Sequence, residues 1–435
     1  MMKDIIGRLK EYSRRQYICV AMIFFMISFI FSLAHIPQFL MRIYWVCGLT
    51  VGIFVCIIKM DIEPISSHMI FGAYVLRLIV IISNYRLNNI ISSFLHIGDD
   101  NVFANASIQF YRKTPGFEYP SKQLPKLMAA LYHVSGEDVL IGLFILMTLY
   151  IIGCIAFYHI MGLLKASDRI KRVGIGVLCY APYGIIYSVL FMREQINFCF
   201  LTLSFLLFVK HVYSRRILEL FAAMLLSLPA IWMHWGYIPV LAGYIVYFFL
   251  FYQVTQPKRA VLRLVKLALL TIFIIGTYIL ISHSGRIKYF IEAGNFMDGL
   301  QITLKRYIGL GGDSTYLKEM TVEYLWQLFV YTPLRVIYFF FSPLPMDWRD
   351  WRDALSFALD SSLYLSGVIA YVCLIFRKKA SVPAHTAFLI VAFTGAVFCW
   401  GTVTAGAAIR HRNCLLGFFL FIMIMALTEF EKHIE

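Results

Sequence analysis

The chain has 435 residues, 60% of them apolar and only 14% charged, which is more apolar surface than one water-soluble core can hide. Its formal charge of +15 sits in short clusters between apolar runs rather than in one patch or stripe, so a nucleic-acid surface is excluded. All nine cysteines lie within or against apolar runs and none forms a C-x-x-C pair; neither a disulfide framework nor a thiolate metal site is indicated.

A helix needs about 20 apolar residues to cross the hydrocarbon layer. Candidate spans in chain order are 17–36, 39–58, 68–88, 139–163, 173–191, 196–211, 217–233, 236–252, 264–282, 356–376, 383–400 and 413–428. The expected fold is therefore an all-α polytopic membrane protein with about 12 transmembrane helices, forming a single integral membrane domain over residues 1–435. Ser32-Leu33-Ala34 has the small-residue look of a signal-peptide cleavage site, but the preceding run is bulky and long, so an uncleaved anchor is expected.

Lys3, Arg8, Lys10, Arg14 and Arg15 precede the first span and place the N-terminus in the cytoplasm. Further basic clusters mark alternate connections: Lys165, Arg169, Lys171 and Arg172; Lys210, Arg215 and Arg216; Lys258, Arg259 and Arg263; and Arg377, Lys378 and Lys379. The apolar run at 324–345 would throw the last of these outside if it spanned, so it reads as an interfacial or re-entrant helix. Both termini are then cytoplasmic, and two large external loops remain, at 89–138 and 283–355. Long loops of mixed charge on a membrane body are where a site for a polar substrate would be built.

The first external loop opens on Asp99 and Asp100, directly after an apolar stretch. Glycosyl transfer to a hydroxyl needs a base for the acceptor proton, and either carboxylate suits that task; capping of the helix expected from Asn101 to Tyr111 is the structural alternative. Tyr111, Arg112 and Lys113 are candidates for acceptor contacts or form a solvated loop edge. Arg77, inside the third span, would cost about 2.5–3.5 kcal/mol if left unpaired, so a pair with another helix or a wet cavity is expected.

A phosphate leaving group must be met by cations fixed in advance, and arginine does this best. Arg193, in the short turn between the fifth and sixth spans, Arg335, in the aromatic 324–345 helix, and Arg410 and Arg412, flanking His411 before the last span, all fall on the outer side. The competing reading for Arg193 is a pair with Glu194 or a headgroup contact. His234, between Trp232 and Trp235, either contacts pyrophosphate or is a structural histidine of an aromatic girdle. Asp347, Arg349, Asp350, Arg352 and Asp353, interleaved with Trp348 and Trp351, suit sugar stacking or a self-paired segment equally. Gly309-Leu310-Gly311-Gly312-Asp313 follows no strand and fails the context of a nucleotide loop.

The setting of the two acids, Gly98-Asp99-Asp100-Asn101-Val102-Phe103 followed by Phe117-Glu118-Tyr119-Pro120 and Leu124-Pro125, resembles the first external loop of GT-C glycosyltransferases. Met192-Arg193-Glu194-Gln195, Trp232-Met233-His234-Trp235, Phe341-Ser342-Pro343-Leu344-Pro345-Met346-Asp347-Trp348 and Arg410-His411-Arg412 resemble segments of that group and of bacterial polysaccharide polymerases. The resemblance implies a GT-C-like enzyme of the inner (plasma) membrane, in cell-surface polysaccharide synthesis. It would take sugar or oligosaccharide from a polyprenyl-(pyro)phosphate carrier. Asp99 and Asp100 would be catalytic; Arg193, Arg410, Arg412, His234 and Arg335 would contact phosphate; and Tyr111, Arg112 and His411 would contact the saccharide acceptor. No second separated acidic pair follows Asp100, so no metal or other cofactor is indicated. Expected partners are the lipid-linked saccharide, the acceptor and membrane lipid. The alternative is a transporter or lipid-linked oligosaccharide flippase, which would need polar groups near the midplane.

Overall fold

The structure, a computed structural model, describes residues 14–34, 36–87, 91, 99–119, 121–252, 265–267, 270–271, 274, 296–310, 314–320 and 322–432. The described residues are helical apart from turns and a single antiparallel bridge between Thr315 and Thr404. Among the described residues six helices are long and apolar enough to cross a membrane: α2 (Gln38–Lys59), α3 (Pro64–Arg86), α6 (Val139–Leu163), α9 (Glu194–Ser214), the composite Trp351–Phe376, and α16 (Val382–Gly401). A seventh is added if α17 (Ala405–Asn413) and α18 (Leu416–Glu431), bent by 63°, count as one. The protein is thus a helical, multi-pass membrane protein.

The remaining expected spans take other forms. The 173–191 run is two helices, α7 (Asp168–Tyr180) and α8 (Pro182–Ser188), because Pro182 offers no N–H and pushes Ala181 out of the helical region, to φ −54° and ψ 127°. The 17–36 run forms α1 (Arg14–Leu33, 20 residues). Two others are short: α10 (Ile217–Met233), with Pro229 inside, and α11 (Ile238–Phe251), entered through a 3₁₀ turn at Trp235–Tyr237. The basic residues Lys3, Arg8, Lys10, Lys258, Arg259 and Arg263, most of the 264–282 run, and Gly311 to Asp313 lie outside the described residues.

Contacts group the chain into two units. The first comprises the described residues of Met1–His159 and Ser167–Cys199. Here α1 packs on α5 (Gln123–Ser135), with Trp45 Nε1 donating to Ser28 Oγ (2.9 Å) and Ser28 Oγ donating to the Val134 carbonyl (2.9 Å). Gly136, at φ 75°, ends α5 in a conformation that only glycine adopts without strain. The chain then turns into Asp138, which takes the Leu140 N–H (2.9 Å) at the start of α6 and pairs with Arg42 (2.6 Å). Glu63 caps α3 by accepting from Ser66 N (2.9 Å) and also receives Arg172 (2.9 Å). Burial works to raise its pKa, but the Ser66 and Arg172 hydrogen bonds outweigh this and hold it at about 2.

The second unit comprises Ile160–Ala166 and the described residues of Phe200–Glu435. Its centre is built from α13 (Leu325–Phe341), α15 (Ser362–Phe376), α16 and α18. At 17 residues, α13 is about 25 Å long, short of the roughly 30 Å hydrocarbon thickness. It lies so close to α16 that a Cβ on Gly395 would stand 2.4 Å from the Phe340 ring. The composite Trp351–Phe376 is α14 (Trp351–Ser356), a π-helical turn at Phe357–Ser361, and α15. One inserted residue of this kind re-aims the side chains that follow it, and such turns gather at functional or strained positions.

Candidate functional site

In the first unit the two acids of the first external loop stand on α4 (Asp99–Tyr111). Both acids fall in its first turn, where the unsatisfied N–H groups and the helix dipole favour negative charge. Asp99 is exposed, whereas Asp100 is only 5% exposed. One turn on, the Phe103 ring lies 5.9 Å from the Arg193 guanidinium carbon. The turn carrying Arg193 is braced by Gln195, whose Nε2 donates to the carbonyls of Tyr187 (2.7 Å) and Leu190 (2.6 Å). Glu194, Gln195 and Asn197, which open α9, are all buried. Asp100 and Arg193, distant in sequence, are thus linked through one short helix.

Two of the three residues read as acceptor contacts, Tyr111 and Arg112, have protein partners of their own in the first unit. Tyr111 packs edge-on to Tyr132 at 5.9 Å and tilts against His133 at 5.1 Å. Arg112 forks onto both oxygens of Glu137, at 2.8 and 2.6 Å, on the surface. Arg77 is fully buried and donates through Nε to Ser188 Oγ (2.7 Å) and through Nη1 to the Ala73 carbonyl (3.1 Å), with the Tyr150 ring 4.9 Å away. This is the interhelical partnership expected of an arginine at that depth.

In the second unit Arg412 is fully enclosed. Its Nε donates to Asp360 Oδ2 (2.7 Å), Nη1 to the Phe339 carbonyl (3.1 Å), and Nη2 to the Ser342 carbonyl (2.8 Å) and Ser361 Oγ (3.1 Å), with the Tyr364 ring at 5.2 Å. Every nitrogen is committed to protein, so Arg412 is a structural cation that ties α17 to α13 and the π turn. It is not carried forward as a phosphate contact. Asp360, its counter-ion, was missed in the sequence, although an acid within an apolar run was the signal that could have found it.

Arg335 is as deeply buried as Arg412 but differently furnished. Its Nη2 reaches only the Met320 carbonyl (3.3 Å), its guanidinium stacks over Trp400 at 4.6 Å, and Nε and Nη1 donate to nothing among the described residues. Trp400 is held in turn by Nε1 donating to Thr332 Oγ1 (2.9 Å).

His234 and His411 stand together, ring centroids 4.7 Å apart, on either side of contacts to Phe398 at 4.8 and 4.7 Å. His234 Nδ1 accepts from the Gly236 N–H (3.1 Å) and so caps the 3₁₀ turn, while Tyr237 Oη donates to the His411 carbonyl (3.2 Å). Arg410, next in sequence, is half-buried.

The acidic and basic run 347–353 pairs largely with itself. Arg349 forks onto Asp353 (2.8 and 2.9 Å), and Asp350 caps α14 while receiving Arg352 (2.9 Å). Slight desolvation pushes the Asp350 pKa up, but the Arg352 hydrogen bonds prevail and lower it. Among the described residues no three His, Cys, Asp or Glu side chains group in a way that could hold a metal ion. Compared with protein-family models, curated proteins and solved structures, the chain matches none of them.

Proposed function

We propose that this protein is a glycosyltransferase of the plasma membrane, taking sugar or oligosaccharide from a polyprenyl-(pyro)phosphate carrier at the extracytoplasmic face and serving cell-surface polysaccharide synthesis. The observation that carries the reading is the pairing on α4 of the buried Asp100 with Phe103, whose ring lies beside the Arg193 guanidinium. A carboxylate and a fixed cation brought to one helix are the two groups such a transfer needs.

In this reading Asp100 takes the proton of the acceptor hydroxyl while that oxygen bonds to the anomeric carbon. The bond from that carbon to the phosphate oxygen breaks, its electron pair stays on the phosphate, and Arg193 meets the growing charge. Asp99, being exposed, is the secondary acid. In the second unit Arg335, with two donors uncommitted, replaces Arg412 as the anion-seeking guanidinium, and Arg410 remains a weaker candidate. A transporter would draw on midplane charge, but Arg77 is already held by Ser188, Ala73 and Tyr150.

The test is to express the protein and its Arg193→Ala variant in a host lacking the native copy, and to resolve the extracted lipid-linked saccharides by mass. The expected result is accumulation of the unconsumed lipid-linked donor in the variant. An unchanged lipid-linked pool, with the variant present in the membrane at normal level, overturns the assignment.

A further inference from the structure

A shallow hollow, open to solvent, is lined in the second unit by Ser314, Thr315, Tyr316, Ser342, Pro343, Asp347, Arg349, Asp353 and Ala405. Three physical features meet there. The first is unmet hydrogen-bonding capacity: Thr315 is 8% exposed and Ser342 1%, yet Thr315 Oγ1 and Ser342 Oγ have no hydrogen-bond partner among the described residues. Buried hydroxyls are ordinarily satisfied, and each one left alone costs about 1–3 kcal/mol. A hydroxyl both donates and accepts, so two of them lining one hollow match a ligand that does the same.

The second is rigidity. The Thr315 backbone is fixed by its bridge to Thr404, and Tyr316 N donates to the Val403 carbonyl (3.0 Å) while Tyr316 Oη donates to the Thr402 carbonyl (2.7 Å). The Ser342 carbonyl is held by Arg412 and by Ser361 Oγ (3.2 Å). Neither hydroxyl-bearing segment can shift readily to find another partner.

The third is charge. Arg349 is already forked onto Asp353, and Asp347 adds a second carboxylate, so the pocket carries net negative charge and disfavours an anion. Beside it Trp348, 41% exposed, is pinned by Nε1 donating to the Pro343 carbonyl (3.1 Å). Trp348 stands in the chain between the lining residues Asp347 and Arg349, and an exposed indole near hydroxyls and a carboxylate is chemistry that suits a neutral polyol.

We infer that this pocket is a saccharide-binding subsite in which Thr315 and Ser342 exchange hydrogen bonds with sugar hydroxyls, Asp347 accepts another, and Trp348 supplies the stacking face. The inference concerns the second unit alone and does not depend on the glycosyltransferase reading.

The test uses the full chain, purified in detergent, with glucose, galactose, rhamnose and N-acetylglucosamine as probes, read by saturation-transfer NMR and by tryptophan fluorescence, with inorganic phosphate as a further arm. At least one sugar is expected to bind, with Thr315→Val and Asp347→Asn each weakening it about tenfold. Thr315→Val keeps the branched shape, so its unfolding temperature is expected to hold or rise. Sugar binding is read in the absence of lipid-linked donor and of turnover, so failure of this subsite is distinguishable from failure of the catalytic assignment. Binding of none of the four sugars, binding of phosphate alone, or equal sugar affinity in wild type and Thr315→Val overturns the proposal.

Discussion

Arg412 and Arg335 are both fully buried in the second unit, and the difference between their surroundings separates a structural charge from the one that the proposed function assigns to an anion. Arg412 has a carboxylate, two carbonyls, a hydroxyl and an aromatic ring arranged around it. Arg335 has one long bond to a carbonyl and the face of Trp400. Taking a guanidinium out of water costs several kcal/mol unless charge and hydrogen bonds are returned to it. The Arg412 cage returns both; the Arg335 setting returns little, and an anion would supply the rest.

The largest effect expected from that contrast is at the cage. Asp360→Ala leaves Arg412 buried without its counter-ion and is expected to destabilise the fold by about 3–5 kcal/mol, seen as an early unfolding transition in detergent. The paired replacement Asp360→Leu with Arg412→Met is expected to recover most of the loss; no recovery would mean that the pair does more than neutralise itself. Next comes Arg335→Met. Stability is expected to change by no more than about 1 kcal/mol, because the lost cation–π contact is offset by relief of an underserved charge, while turnover of lipid-linked donor falls by about 10²-fold or more. Destabilisation matching that of Asp360→Ala would erase the distinction between the two arginines.

The smallest effect is at Glu63, outside both arginine sites. Its folded-state pKa of about 2 lies below the ordinary glutamate value, so its contribution is present above pH ~4.3 and is lost as pH falls toward 2. Arg172, its partner, is 41% exposed at the side chain, so Arg172→Ala is expected to cost only about 0.5 kcal/mol. Unfolding followed from pH 7 down to pH 2 should show the variant and wild type converging as Glu63 approaches its folded-state pKa.

The membrane character was legible because apolar runs near 20 residues have few other uses, and so was the helix that follows Asp99 and Asp100. Span counting was less secure where a single residue decides: Pro182 divides one run into two helices. Spacing along the chain revealed local pairs, such as Arg349 with Asp353 four residues on. It could not reveal that Arg412 is claimed by Asp360, 52 residues away, because an arginine beside an apolar run reads the same whether its partner is an aspartate or a phosphate. Thr315 and Ser342 were invisible for a similar reason: hydroxyl residues are common in loops, and only burial without a partner singles them out.

The central claim is that Asp100, rather than its neighbour, takes the acceptor proton. Asp99→Asn and Asp100→Asn, which change no side-chain volume to speak of, should be compared for glycan formed per unit of protein from the lipid-linked donor. The account predicts a loss of about 10²–10⁴-fold for Asp100→Asn and less than tenfold for Asp99→Asn. Equal and near-normal activity in both variants would contradict it.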